Sequence, residues 1–222
     1  MKIFIITMFD NNYSLKCSNK VFEQLKDNHE VTQFPATVIS NVVEEYRKRG
    51  YKYNLSRKLK VETLPKTINK LNLGSLSKAS CMMSHYRLYE TCLQKDEIIC
   101  VLEHDAVLLK DNIEEVLQDF KQSDCELLKL HHHIGDRTWC EGDVTETPYI
   151  QNKYSGGTGA YLLKPEAAKL LVQFAQEEWC LDTRDDEFIQ NVLNKIGGLK
   201  EEIFTTSDNE RVKSTSSRLY DE

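Results

Sequence analysis

The residues best placed to do chemistry are Glu103, His104 and Asp105, which end an apolar run from Ile98 to Leu102. A buried strand that delivers two carboxylates at its carboxyl end can hold a divalent cation together with a phosphate. Hard ions such as Mg²⁺ and Mn²⁺ take carboxylate oxygens and leave positions open for substrate. The same triplet also reads as a polar turn after a core strand. His131, His132 and His133 follow a second short apolar run; on a strand His131 and His133 share one face and could ligate a metal, or form a hydrogen-bonded cluster without one. Asp185, Asp186 and Glu187 open a helical pattern, where the helix dipole favours acids whether or not they catalyse. Gly156-Gly157-Thr158-Gly159 lets backbone come close to a ligand, or simply turns the chain between strands.

These groups need a scaffold, and the hydrophobic pattern supplies one. Residues 2–8 read as a first buried strand and 14–28 as a helix, followed by a strand from Val31 to Val38 broken at Pro35. A long helical pattern from Ser75 to Gln94 precedes the strand 98–102. A helix capped by Asp111 or Asn112 runs to about Phe120, and a strand covers Glu126 to His131. Ala160 to Leu163 is a strand, and Pro165 stands where a helix-starting proline belongs. A last helix, Asp185 to Ile196, is expected to close on Gly197-Gly198. Strands alternating with helices predict an α/β sandwich with a mostly parallel sheet, whose ligands bind at the carboxyl ends of the strands.

Composition sets bounds on function. The chain has 222 residues, 40% hydrophobic and 29% charged, the profile of an ordinary globular protein of one large domain. No apolar run of membrane-spanning length occurs, and Met1 to Met8 is too short and lacks the cleavage site of a signal peptide. Seven cysteines, odd in number and without C-x-x-C spacing, behave as small hydrophobes in a reducing compartment and argue against a structural zinc site. A cytoplasmic protein is the expectation. The net charge of −6 is uneven: the segment from Tyr46 to Lys70 carries +8, leaving −14 elsewhere. Arg47, Lys48, Arg49, Lys52, Arg57 and Lys58, with tyrosines interleaved, read as either a solvated insertion or a flap that meets a polyanion.

Several segments together, in order, resemble glycosyltransferase family 25, the lipooligosaccharide and collagen galactosyltransferase group. Ile3 to Ile6 takes the place of the opening strand; Ala79-Ser80-Cys81-Met82-Met83-Ser84-His85 is similar to the family's G-C-x-x-S-H helix; Ile98 to Ala106 is similar to its strand ending in E-D-D-A. Leu128 to His131, Gly157 to Leu163 with Ala167 to Leu171, and Asp185 to Phe188 resemble the later blocks. The chain departs from the pattern at His104 (an acid in the family), at Ser80 (a glycine) and in its basic segment.

The basic insertion at 46–70 and the polar tail at 206–222 are read from the residues themselves. The resemblance implies a GT-A-type fold, expected as one domain over residues 1–205. It also implies an inverting, divalent-metal-dependent transfer from a nucleotide sugar, usually UDP-linked. Under it, Asp105 and Glu103, with His131 and His133, would hold Mn²⁺ or Mg²⁺. Asp186 leads Asp185 and Glu187 as general base, and His85, Ser84, His104, Gly157, Thr158 and Gly159 would contact the donor. His85 also reads as a satisfied core histidine. The acceptor is expected to be a lipooligosaccharide-type saccharide or a hydroxymethylated base in DNA, since phosphorylated glycolipid and nucleic acid both satisfy the basic segment. The alternative is a non-catalytic nucleotide-sugar-binding module, degenerate through His104.

Overall fold

The computed structural model describes residues 1–49, 54–55, 59–60, 73–132, 139–178 and 185–206. In chain order the first half comprises β1 (Lys2–Thr7), α1 (Asn12–Leu25), β2 (Glu30–Pro35), α2 (Ile39–Lys48), β3 (Asn54–Leu55), β4 (Leu59–Lys60), α3 (Leu73–Lys95), β5 (Ile99–Glu103) and β6 (Ala106–Leu108). The second half comprises α4 (Ile113–Gln122), β7 (Leu127–Lys129), β8 (Trp139–Glu141), β9 (Ile150–Gln151), β10 (Lys153–Ser155), β11 (Ala160–Leu163), α5 (Pro165–Glu178), α6 (Asp185–Val192), β12 (Ile196–Leu199) and β13 (Phe204–Thr206).

Seven strands form one sheet in the order β2-β1-β5-β11-β7-β12-β9. Five of them run in one direction, and only β11 and β9 oppose them. Because successive side chains on a strand face opposite sides, each strand feeds two cores. Phe4, Ile6, Ile99, Val101, Tyr161 and Leu163 face α2, α3, α5 and α6, whereas Ile3, Ile5, Cys100, Leu102 and Leu162 face α1 and α4. The result is the expected α/β/α sandwich with a mostly parallel sheet. Among the described residues no helix is long and apolar enough to cross a membrane.

Local signals explain the ends of the elements. The Asn11 side chain accepts a hydrogen bond from Ser14 N at 2.9 Å and starts α1. Pro35 ends β2, since proline offers no N–H to continue a ladder. Helix α3 buries Leu76, Ala79, Met82, Met83, Tyr86, Leu88, Tyr89 and Cys92, so it has apolar contacts on several sides and runs as a central column. Each of its large side chains contributes roughly 1.5–3 kcal/mol on burial.

Two expectations require correction. Gly197 and Gly198 do not cap a helix, because α6 ends at Val192 and both glycines lie inside β12. A Cβ at Gly197 would stand 2.6 Å from Cys125 Sγ, and one at Gly198 would stand 2.5 Å from the Lys153 carbonyl oxygen. Close approach of β10 and of Cys125 demands glycine here, which explains the pair without any helix end. The expected basic insertion also begins too early. Tyr46, Arg47 and Lys48 are the last turn of α2, and the Tyr46 ring is buried in the core. Lys52, Arg57 and Lys58, and the tail beyond Thr206, lie outside the described residues.

Gly198→Ala should destabilise the protein by roughly 1–3 kcal/mol, because the methyl meets backbone rather than a flexible side chain. Urea unfolding checks this, and an unchanged midpoint would remove the close-approach account of β12.

Candidate functional site

The site follows from strand alternation. Ile99 and Val101 of β5 face α3, and so therefore does Glu103 at its carboxyl end. Its Oε1 lies 3.5 Å from Nε2 of His85, a fully buried residue of α3. The other His85 nitrogen, Nδ1, is 2.9 Å from the Tyr161 hydroxyl on β11. Thr158 Oγ1 donates to the same Glu103 oxygen at 3.2 Å, and Glu103 N donates to Gly159 O at 2.8 Å. Burial opposes the charge on Glu103, but the His85 hydrogen bond and the nearby His85, His104 and His131 rings outweigh it and hold the carboxyl well below the usual range. A continuous chain thus runs Tyr161–His85–Glu103–Thr158.

That chain ends in the glycine loop, which enters β11 at the carboxyl ends of β5 and β7 because β11 runs antiparallel to both. Gly157 has φ 85°, a left-handed conformation that favours glycine. The buried Lys129 of β7 donates through Nζ to Gly157 O and sits 5.9 Å from the Tyr161 ring centre. A Cβ at Gly159 would stand 3.2 Å from His131 Nε2, so glycine lets His131 pack under the loop. On the other side, Asp186 Oδ2 lies 3.7 Å from the position of a Cβ on Gly156. Asp186 is buried at the start of α6 and its Oδ1 accepts from Glu187 N at 3.0 Å, while Glu187 is exposed. Of Asp185 only the backbone is described.

The remaining expected residues divide. Asp105 stands half-buried just past β5, at the sheet end shared with the loop. His104 turns to the opposite side and meets the Tyr13 ring of α1 edge-on at 6.2 Å. Ser84 is buried, donates to Ser80 O and accepts from Thr37 N, so it fastens α3 to the chain after β2. Arg49 binds Glu45 at 2.8 Å and Glu90 at 2.7 Å, and Lys48 binds Glu45 at 3.1 Å; Arg47 is exposed. His133 lies outside the described residues.

For a metal, the expected ligands are Asp105, Glu103, His131 and His133; the last lies outside the described residues, and the other three do not bring their ligand atoms within 4.8 Å of one another. Among the described residues only Cys81, His85 and Glu103 bring three ligand atoms within 4.8 Å of one another. A Mg²⁺ or Mn²⁺ ion carried with a diphosphate needs only one or two carboxylates from the protein. A cavity of 390 Å³ beside Lys2, Glu97 and Lys121 lies at the amino end of β1 and β5, away from all these groups.

Residues 1–189 match glycosyltransferase family 25, described as an LPS biosynthesis protein. The chain belongs to glycosyltransferase family 25. It is a glycosyltransferase, and the segments quoted for the resemblance include the end of β5, the 157–159 turn and the start of α6. No curated protein matches the chain. Among solved structures, A197 from STIV is similar at TM-score 0.50 and 10% identity, over 91% of this chain and 82% of that one, which shows a shared fold. A glycosyltransferase involved in glycosylation of the major capsid of PBCV-1 aligns at TM-score 0.41 and 10% identity, over 93% and 92% of the two chains.

Sequence reasoning gave no role to Lys129, Tyr161 or Cys81. The first had a visible signal: a lysine between Leu128 and Leu130 in a central strand must either break the strand or find a buried partner.

The depressed Glu103 pKa fixes a pH dependence. An unfolded glutamate titrates near about 4.3, so the stability from ionised Glu103 is complete above that pH and is lost as pH falls towards the lower folded value. Glu103→Gln should be less stable than wild type at neutral pH, and the difference should shrink below about pH 4. Urea unfolding at a series of pH values reads this; a constant difference would mean that the Glu103 charge carries no stability.

Proposed function

We propose that the protein transfers a sugar from a UDP-linked donor to a saccharide hydroxyl with inversion, at the carboxyl end of β5. The observation that carries this reading is the meeting, at one sheet end, of Asp105, the 156–159 loop and the buried carboxylate of Asp186. Open α/β sheets bind ligands at this position.

Asp105 would hold the divalent ion, Mn²⁺ or Mg²⁺. When bound, such an ion supplies Lewis-acid stabilisation of the departing diphosphate. The chain's own residues do the rest. The loop, pinned by Thr158 to Glu103 and by Lys129 to Gly157 O, presents backbone without side-chain bulk to the donor. Asp186 takes the proton from the acceptor hydroxyl. The freed oxygen attacks the anomeric carbon, the carbon–oxygen bond to the diphosphate breaks, and the nucleoside diphosphate leaves from the opposite face.

The acceptor is read as a saccharide on two grounds. The family is described by LPS biosynthesis. Trp139 is 54% exposed in β8, pairs with Ser155 next to Gly156, and is held edge-on by His132 at 5.3 Å. An indole fixed in this way offers a flat apolar surface for the C–H face of a sugar ring. A DNA acceptor draws less support, because Lys48 and Arg49 are already paired with acids of their own chain.

A panel of nucleotide sugars with Mn²⁺, scored for nucleoside diphosphate release, tests the reading. UDP-sugars should be preferred, Asp186→Asn should lose about 10²–10⁴-fold in turnover with acceptor, and Asp105→Ala should lose several kcal/mol of transition-state stabilisation. Unchanged turnover in Asp105→Ala would remove its assigned role. Trp139→Ala should raise the acceptor KM while donor hydrolysis stays unchanged, and retention on DNA at low salt would favour the nucleic-acid acceptor instead.

A further inference from the structure

We infer that Cys81, His85 and Glu103 form a binding site for a thiophilic divalent ion, of which Zn²⁺ is the best match. It is separate in donor chemistry from the hard-ion position at Asp105. The three ligand atoms lie within 4.8 Å of one another, and each is placed by a different constraint. Cys81 and His85 stand four residues apart on α3, so one helical turn stacks them on one face. The Tyr161 hydroxyl at 2.9 Å from Nδ1 sets the His85 ring so that Nε2 points at Glu103. That is the arrangement by which an outer hydrogen bond orients a metal-bound histidine. Glu103 arrives from the end of β5, held by Thr158.

Sulfur, imidazole and carboxylate together suit Zn²⁺, which takes four tetrahedral ligands and keeps a water where the protein supplies three. Tetrahedral Zn–S and Zn–N bonds place neighbouring ligand atoms about 3.5 Å apart. Closing from the 4.8 Å envelope therefore asks for movements of roughly 1 Å, within the reach of side-chain rotation. His85 is fully buried, whereas Cys81 is only partly so, which leaves an entry from its side. The bound ion would tie α3 to β5 and, through the Glu103–Thr158 hydrogen bond, to the glycine loop. Because thiol and imidazole must be deprotonated to ligate, its affinity must fall as pH is lowered.

The test is a Co²⁺ titration of tag-free protein stripped with chelator, followed in the near ultraviolet and visible. A thiolate-to-Co²⁺ charge-transfer band should grow to one equivalent, be bleached by one equivalent of Zn²⁺, and weaken at lower pH. Cys81→Ser should abolish the band, and Cys140→Ser, which replaces a partly buried cysteine outside the cluster, should retain it. Far-ultraviolet circular dichroism without metal establishes that both variants fold; should Cys81→Ser fail to, Cys81→Ala takes its place. As a measurement on unaltered protein, one equivalent of Zn²⁺ should raise the wild-type melting temperature. Absence of the band in wild type, its persistence without Cys81, or a melting temperature indifferent to Zn²⁺ would overturn the site. None of these readouts depends on glycosyl transfer.

Discussion

The ionised carboxylate of Glu103, half-buried at the end of a central strand, is the constraint around which this end of the molecule is arranged. A charge in that position is costly unless it is paired and hydrogen-bonded. Here His85 approaches from the helix layer and Thr158 from the glycine loop, both to the same oxygen. His85 is in turn positioned by Tyr161, a residue of the strand that the loop feeds. Helix α3, strands β5 and β11 and the loop therefore share one polar junction, surrounded by the larger of the two apolar cores. Removing any member leaves the others with buried polar atoms to satisfy, so the loop geometry and the fold are not separable.

This junction changes the part Glu103 plays. The sequence names both carboxylates as metal ligands, Asp105 ahead of Glu103. Strand alternation sends Glu103 towards α3, while Asp105 falls after the strand has ended, at the sheet end that receives the loop. His104, where the family has an acid, packs against Tyr13 on the far side. The family assignment establishes a glycosyltransferase, and the arrangement of Asp105, loop and Asp186 is where we propose that this activity sits.

Much of the fold was legible because it is written in short-range patterns. The apolar runs Ile3–Ile6 and Ile99–Leu102, the buried stripe of α3 and Pro165 at the start of α5 each announce their element locally. What was hidden depends on neighbours distant in sequence. Gly197-Gly198 looks like a helix end until β10 is seen pressing on it. Arg49 looks like a free cation until Glu90, forty-one residues on, is found beside it. Cys81 and His85 carry a helical i, i+4 spacing, but only the arrival of Glu103 from another element makes them a cluster. The order of the family's segments was readable, whereas the direction each side chain takes at the sheet end was not.

The central claim is that the sheet end at Asp105 receives a nucleotide diphosphate together with a metal ion. Calorimetric titration of the protein with UDP, in the presence and absence of Mn²⁺, tests it without needing to know sugar or acceptor. The account predicts that UDP binds markedly more tightly with Mn²⁺, because the ion joins the diphosphate to Asp105. Equal affinity with and without Mn²⁺ would contradict it.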